Sequence, residues 1–202
     1  MKRIFYYALV MFLPLLVACS DNSTNDFPTT EQMRQAVSNM KGNYTGKADV
    51  YLIENGMAQE STTVENITWT ADESITINNF PVASLAAGIL SNNELKTAMA
   101  NYTTTQSLPL NYIYCYSAET NNYAFSLQPS TIQCTMEFGG LTHTVRIEFV
   151  EYPGYSYVKG TNSTQTIQVV INNIYVDNVA TQFQPMGVTF TSTNKTALST
   201  DL

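Results

Sequence analysis

The stretch IQCTMEFGGLTHTVRIEF, residues 132–149, alternates apolar and polar side chains on both sides of a glycine pair. Such period-two alternation marks strands with one buried and one wet face. A two-residue turn at Gly139-Gly140 folds the two strands into an antiparallel hairpin. In that register Phe138 faces Leu141, Met136 faces His143, Cys134 faces Val145 and Ile132 faces Ile147, while Glu137, Thr135, Gln133 and Arg146 take the other side. A slip of one residue would put the whole greasy set into water, so the pattern fixes the register too.

Working outward, strands are expected at Tyr44 to Ile53, Ser61 to Thr70 and Ser74 to Asn79, with a turn at Ala71-Asp72-Glu73 that sets Trp69 opposite Ile75 and Ile67 opposite Ile77. Gln165 to Val176 reads as one long strand whose inward phase shifts at Asn172-Asn173, which predicts a β-bulge, and a last strand lies around Gln184 to Thr191. Thr29 can cap a helix running to Met40, with Gln32 completing a capping box and Met33, Ala36, Val37 and Met40 on one face; Gly42 supplies a left-handed stop. Val82, Leu85, Ala86 and Ile89 suit a second helix. Ser91-Asn92-Asn93-Glu94 is a capping box for a third, with Leu95, Ala98, Met99 and Tyr102 inward. Roughly eight or nine short strands with a helical insertion near 82–102 predict one mainly β (α+β) domain over 29–202, an antiparallel β-sandwich or a partly open barrel.

Of 202 residues, 44% are hydrophobic and 12% charged, too apolar for a disordered chain. A net charge of -7 argues against nucleic acid as a partner. Lys2 and Arg3 precede an uncharged stretch from Ile4 to Ala18, interrupted by Pro14 and too short to span a bilayer, which reads as a signal peptide over residues 1–18. Leu16-Val17-Ala18-Cys19 matches a lipobox, so Cys19 is the expected lipidation site. Cleavage removes Lys2 and Arg3, leaving 7 cations against 16 acids, or -9. An acidic body is repelled by anionic lipid, so acyl chains must provide the membrane attachment. Residues 19–28, with Asp21 and Asp26 among small polar neighbours, form the expected tether.

A lipobox, a Ser/Asp/Asn-rich tether and a Thr/Asn/Tyr-rich β domain together resemble the small envelope lipoproteins of the Bacteroidetes. Lys41-Gly42-Asn43-Tyr44-Thr45-Gly46 and Asn79-Phe80-Pro81-Val82 resemble patterns of an uncharacterised lipoprotein family of that group. The resemblance implies an outer-membrane lipid-anchored protein on the periplasmic or exterior face, and carries no activity with it. Gly42, Tyr44 and Gly46 are similar to the opening of calycin-like barrels, in which a short helix closes the mouth and a Trp stands where this chain has Tyr44.

Chemistry-bearing residues are sparse. His143 is the single histidine, flanked by Thr142 and Thr144 in a regular strand, and no Gly-x-Ser-x-Gly elbow occurs. Zinc finds too few ligands, no calcium loop is present, and no phosphate or dinucleotide fingerprint appears, so neither metal nor cofactor is expected. Asp72/Glu73 and Glu148/Glu151 are the acid pairs a glycoside hydrolase could use, but the first lies in a turn and the second splits across a strand. Catalytic residues are therefore expected to be absent. The expected work is ligand binding or scaffolding of another envelope protein. Tyr152, Tyr155 and Tyr157 are the candidates for stacking a glycan, against the alternative that tyrosines fill the core and rim. Cys115 and Cys134 could form a disulfide; an even loop across Glu119 to Asn122 turns Cys115 away from the core that Cys134 faces, which favours separate thiols. If Cys19 carries the anchor, Cys19→Ser is expected to move the protein from the detergent phase to the aqueous phase of a cloud-point separation.

Overall fold

The computed structural model describes residues 28–118, 122–151 and 154–198. Helix α1 (Thr30–Met40) starts where its capping box predicts: Gln32 N–H donates to Thr29 Oγ1 (3.2 Å), and Thr29 N–H donates to Gln32 Oε1 (2.7 Å). Gly42 does not end it. Lys41 already has extended backbone, and Gly42 opens β1 (Gly42–Glu54) without a connecting loop. The remaining elements are β2 (Met57–Ala71), β3 (Ile75–Ile77), a 3-10 helix (Val82–Gly88), α2 (Asn93–Ala100), β4 (Leu108–Ala118), β5 (Asn122–Pro129), β6 (Ile132–Phe138), β7 (Leu141–Phe149), β8 (Tyr157–Thr161), β9 (Gln165–Val176), β10 (Val179–Ala180) and β11 (Met186–Thr196).

All strands belong to one antiparallel sheet, in the order β11-β1-β2-β3-β4-β5-β8-β9-β7-β6, with β10 beside β9. β11 pairs with β1 along one side and with β9 along the other, so part of the sheet curls back on itself. The ring is incomplete as a barrel because β3 contributes only Ile75 to Ile77, and because β9 leaves the circuit half-way along its length. From Gln165 to Gln168, β9 pairs with β8; from Ile171 to Val176 it pairs with β7 on the same side. Between Glu148 and Phe149 the register shifts, with Glu148 opposite Asn173 and Phe149 opposite Ile171. Asn172 is the extra residue, and the bulge lets the strand bend out of the ring into a wing formed with the β6/β7 hairpin.

The β6/β7 register matches the pattern residue for residue, Phe138 with Leu141 through Ile132 with Ile147. Elsewhere register differs. Trp69 pairs with Ile77 and Ala71 with Ile75, because Ala71 stays in the strand and the turn moves to Asp72-Glu73-Ser74. A shift of two preserves the face, so Trp69, Ile75 and Ile77 remain buried. On β4 an extra residue between Tyr112 and Cys115 reverses the phase, so Cys115 lies opposite Phe125 and against the core rather than away from it. Cys115 and Cys134 are both free thiols. Asn92, not Ser91, caps α2, its side chain accepting from Leu95 N–H at 2.9 Å.

The ring interior is stoppered at both ends. Lys195, near the end of β11, donates to the carbonyls of Asn39 (2.6 Å) and Asn162 (2.9 Å), which ties the C-terminus of α1 over one opening. At the start of β11 the helical insertion covers the other: Gln184 N–H donates to Gly88 O (2.8 Å), and Leu90 N–H to Gln182 O (3.0 Å). Between them, Trp69 stacks on Tyr44 (5.5 Å between centroids, 7° between planes) and meets Phe190. The interior is not purely apolar. Gln165 Oε1 accepts from Trp69 Nε1–H (2.5 Å), its Nε2 donates to Tyr123 Oη (3.1 Å), and its main-chain N–H donates to Ser192 Oγ (2.7 Å). Burial pushes the Tyr44 and Tyr123 phenols up from their ordinary value, so both stay neutral and able to donate. Gly160 makes room for this group, since a methyl there would come within 2.6 Å of Tyr123 Oη.

Each stranded buried donor costs about 1–3 kcal/mol. Gln165→Leu, which strands two groups, is expected to lower unfolding free energy by about 2–4 kcal/mol in a denaturant titration, and Tyr123→Phe by about 1 kcal/mol.

Candidate functional site

The helical insertion and the wing leave a cleft between them of about 710 Å³. Leu95 and Met99 anchor α2 in the core, which turns Glu94, Thr97 and Asn101 toward β6. The chain after α2 then adds Tyr102, Thr103 and Thr104 to the rim, and Thr135 to Gly139 form the opposite wall. Tyr102 is half-buried; Gln106 Nε2 donates to its hydroxyl at 2.7 Å, and burial beside the Cys134 thiol raises its pKa. Among the described residues Glu94 and Glu137 are the carboxylates of the lining, and no Lys or Arg lines it. At the hairpin tip Glu94 Oε2 comes within 3.0 Å of where a methyl on Gly139 would lie, which sets the start of α2 beside the turn.

The strand wall carries main-chain groups as well. Gly139 and Gly140 have φ of 58° and 76°, the left-handed pair of a type I′ turn. Such a turn makes Phe138 and Leu141 a hydrogen-bonded pair, and bonding then alternates along the ladder. Thr144, opposite Thr135, confirms the phase: its N–H donates to Asp177 Oδ1 (2.9 Å) and its carbonyl accepts from Asp177 N–H (2.9 Å), both away from β6. The N–H and C=O groups of Gln133, Thr135 and Glu137 therefore point away from β7. Among the described residues β6 pairs with β7 alone.

The residues singled out in the sequence lie elsewhere. Tyr152 is outside the described residues. Tyr155 is half-buried in the excursion between β7 and β8, and Tyr157 sits at the start of β8, where its hydroxyl donates to Gln168 Oε1 at 3.2 Å. A neighbour the sequence reading missed is Tyr51, whose ring lies over Gly187 so closely that a methyl there would come within 2.4 Å. Asp72 is held by Lys41 (2.5 Å) and Glu148 by Arg146, so each acid already faces a cation. Among the described residues no group of three or more His, Cys, Asp or Glu is placed to hold a metal, and no helix is long and apolar enough to cross a membrane.

His143 has a partner that its strand neighbours did not reveal. Its Nδ1 lies 2.7 Å from Asp177 Oδ2, and its ring stacks on Phe138 at 4.0 Å. Asp177 and Asn178, at φ 47° and 68°, make the two-residue turn between β9 and β10. The Asp-Asn pair was a readable turn signal. Asp177 thus ties the wing hairpin to the end of β9.

Residues 39–176 match the family model described as Domain of unknown function (DUF4840). The chain belongs to the DUF4840 family. No curated protein and no solved structure matches it. The DUF4840 match contains every wall of the cleft, together with Tyr44, Trp69 and Gln165, and ends at the last residue of β9. The Asp177 tie and the ring-closing β11 follow the matched part of this DUF4840 protein.

The bond to His143, then the Thr144 N–H, holds the Asp177 carboxyl below its ordinary value of 3.8. A depressed folded-state pKa stabilises above the unfolded value and is lost as pH falls through the folded one. Asp177→Asn is accordingly expected to lower the thermal midpoint at neutral pH, with variant and wild type converging in acid below the carboxylate range.

Proposed function

We propose that this DUF4840 protein is a lipid-anchored envelope module that works without catalysis by holding a ligand in the cleft between α2 and β6. The anchor rests on the lipobox at Cys19. One observation carries the binding reading: a cleft of about 710 Å³ whose walls offer hydroxyls, amides and two carboxylates around Tyr102 and Phe138. Concave sites with a few convergent polar groups are where ligands bind. Scaffolding fits the same geometry, since the ligand can be a segment of another envelope protein.

A glycan reading has its own support. Tyr51, half-buried with its ring against Gly187 and near Tyr157, is an amphipathic aromatic of the kind sugars stack on. The two readings separate by mutation.

Thr97 is exposed on the helix wall, so Thr97→Trp fills the cleft without touching the core. The full chain in detergent micelles, screened against a glycan array and a displayed heptapeptide library, is expected to select ligands whose affinity falls about tenfold or more in Thr97→Trp at an unchanged thermal midpoint. Ligands indifferent to Thr97→Trp but lost in Tyr51→Ala would move the site to the outer tyrosines.

A further inference from the structure

The unpaired edge of β6 narrows what the cleft can hold. Edge strands in native sheets are normally shortened, twisted away, covered or charged, because a row of free N–H and C=O groups recruits another strand. Here the outward groups of Gln133, Thr135 and Glu137 follow from the type I′ turn and from the Asp177 bonds to Thr144. Thr135, Glu137 and their neighbours form one wall of the cleft. Their edge is regular, since β6 and β7 pair without a register shift. Space beside a regular edge suits an extended chain, which gains main-chain hydrogen bonds on one side and side-chain contacts to α2 on the other. A seven-residue strand reaches about 24 Å, enough to run the length of the seven-residue β6.

Charge selects among extended chains. Glu94 stands at the helix end of the cleft beside Gly139, and Glu137 lies on the edge itself. Among the described residues no cation lines the site, and the chain as a whole carries -7. A second copy pairing edge to edge would bring two such acidic bodies together. A partner segment bearing Lys or Arg would instead gain from both carboxylates.

We infer that β6 takes up an extended, cationic polypeptide segment of a partner protein as an added antiparallel strand, seated in the cleft under α2. This rests on the cleft being the binding site. The strand supplies sequence-independent affinity through Gln133, Thr135 and Glu137, and the two acids supply selection.

The probes are the capped heptapeptides KVTVTVK and EVTVTVE, titrated into the full chain in micelles. KVTVTVK is expected to bind about tenfold or more tightly than EVTVTVE at low salt, the gap closing near about 0.5 M salt. Its binding is expected to slow hydrogen exchange at the Thr135 and Glu137 amides. Thr135→Pro removes one outward donor without breaking the β7 ladder, as proline is tolerated on edge strands whose N–H faces outward. That variant is expected to lose about tenfold or more in affinity, whereas Thr135→Val keeps the N–H and the binding. Should Thr135→Pro unfold, the exchange readout on the wild type decides. The inference is overturned if KVTVTVK fails to bind, binds Thr135→Pro equally, or leaves both amides unprotected. It is also overturned if the chain itself dimerises in a way that Thr135→Pro abolishes. Glycans that Thr97→Trp expels and Thr135→Pro spares would overturn the peptide and keep the cleft; ligands that ignore Thr97→Trp would remove the cleft itself.

Discussion

The carboxamide of Gln165 is the constraint around which the ring is organised. Its oxygen is committed to the Trp69 indole, its nitrogen to the Tyr123 hydroxyl, and the main-chain N–H of the same residue to Ser192. Those partners sit on β2, β5 and β11, so one buried side chain at the head of β9 references strands from around the circuit to one another. A buried amide bonded through both its oxygen and its nitrogen gives specificity that interchangeable apolar contacts lack, because another arrangement strands polar groups away from water. Trp69 is then fixed in a plane against Tyr44, and Tyr44 Oη donates to Met40 O (2.7 Å), which carries the same order into the end of α1.

Because the ring half of β9 is held so firmly, its other half can do something different. After the bulge at Asn172 the strand leaves the circuit and becomes the platform on which β7 and β6 are laid. The helical insertion closes the ring end and also packs against this wing, through α2 on β6 and through Phe80 edge-on to Phe149 at 5.7 Å. The cleft is the space left where one short helix serves both bodies. Its wall on the strand side ends the sheet, and its wall on the helix side is polar because Leu95 and Met99 use up the apolar face of α2.

Local alternation makes the wing hairpin fully legible, and the phase change at Asn172-Asn173 marks the bulge. What escaped was nonlocal or hidden in small insertions. The extra residue on β4 reversed Cys115, and nothing in Tyr112 to Tyr116 marks it, since alternating tyrosines read the same in either phase. The turn at Asn55-Gly56, with φ of 50° and 76°, joins β1 to β2 and carries a strong hairpin signal, but the strands around it run several residues closer to the turn than their alternation marks. The cleft could not be read from the chain, for its walls come from segments about forty residues apart and its recognition groups on β6 are main-chain atoms common to every sequence.

The position of β11 sets the order of events at assembly. The strand that completes the circuit is synthesised long after β1, with which it must pair across a separation of roughly 140 residues. Until it arrives, the edges of β1 and β9 that it will cover stay open, and Lys195 is not yet available to fasten α1. An emerging chain can therefore lay down its hairpins one after another, but the interior around Trp69 stays accessible to water until β11 slides into place. Commitment to the finished topology comes late and at a single seam, where loop-closure entropy opposes it most.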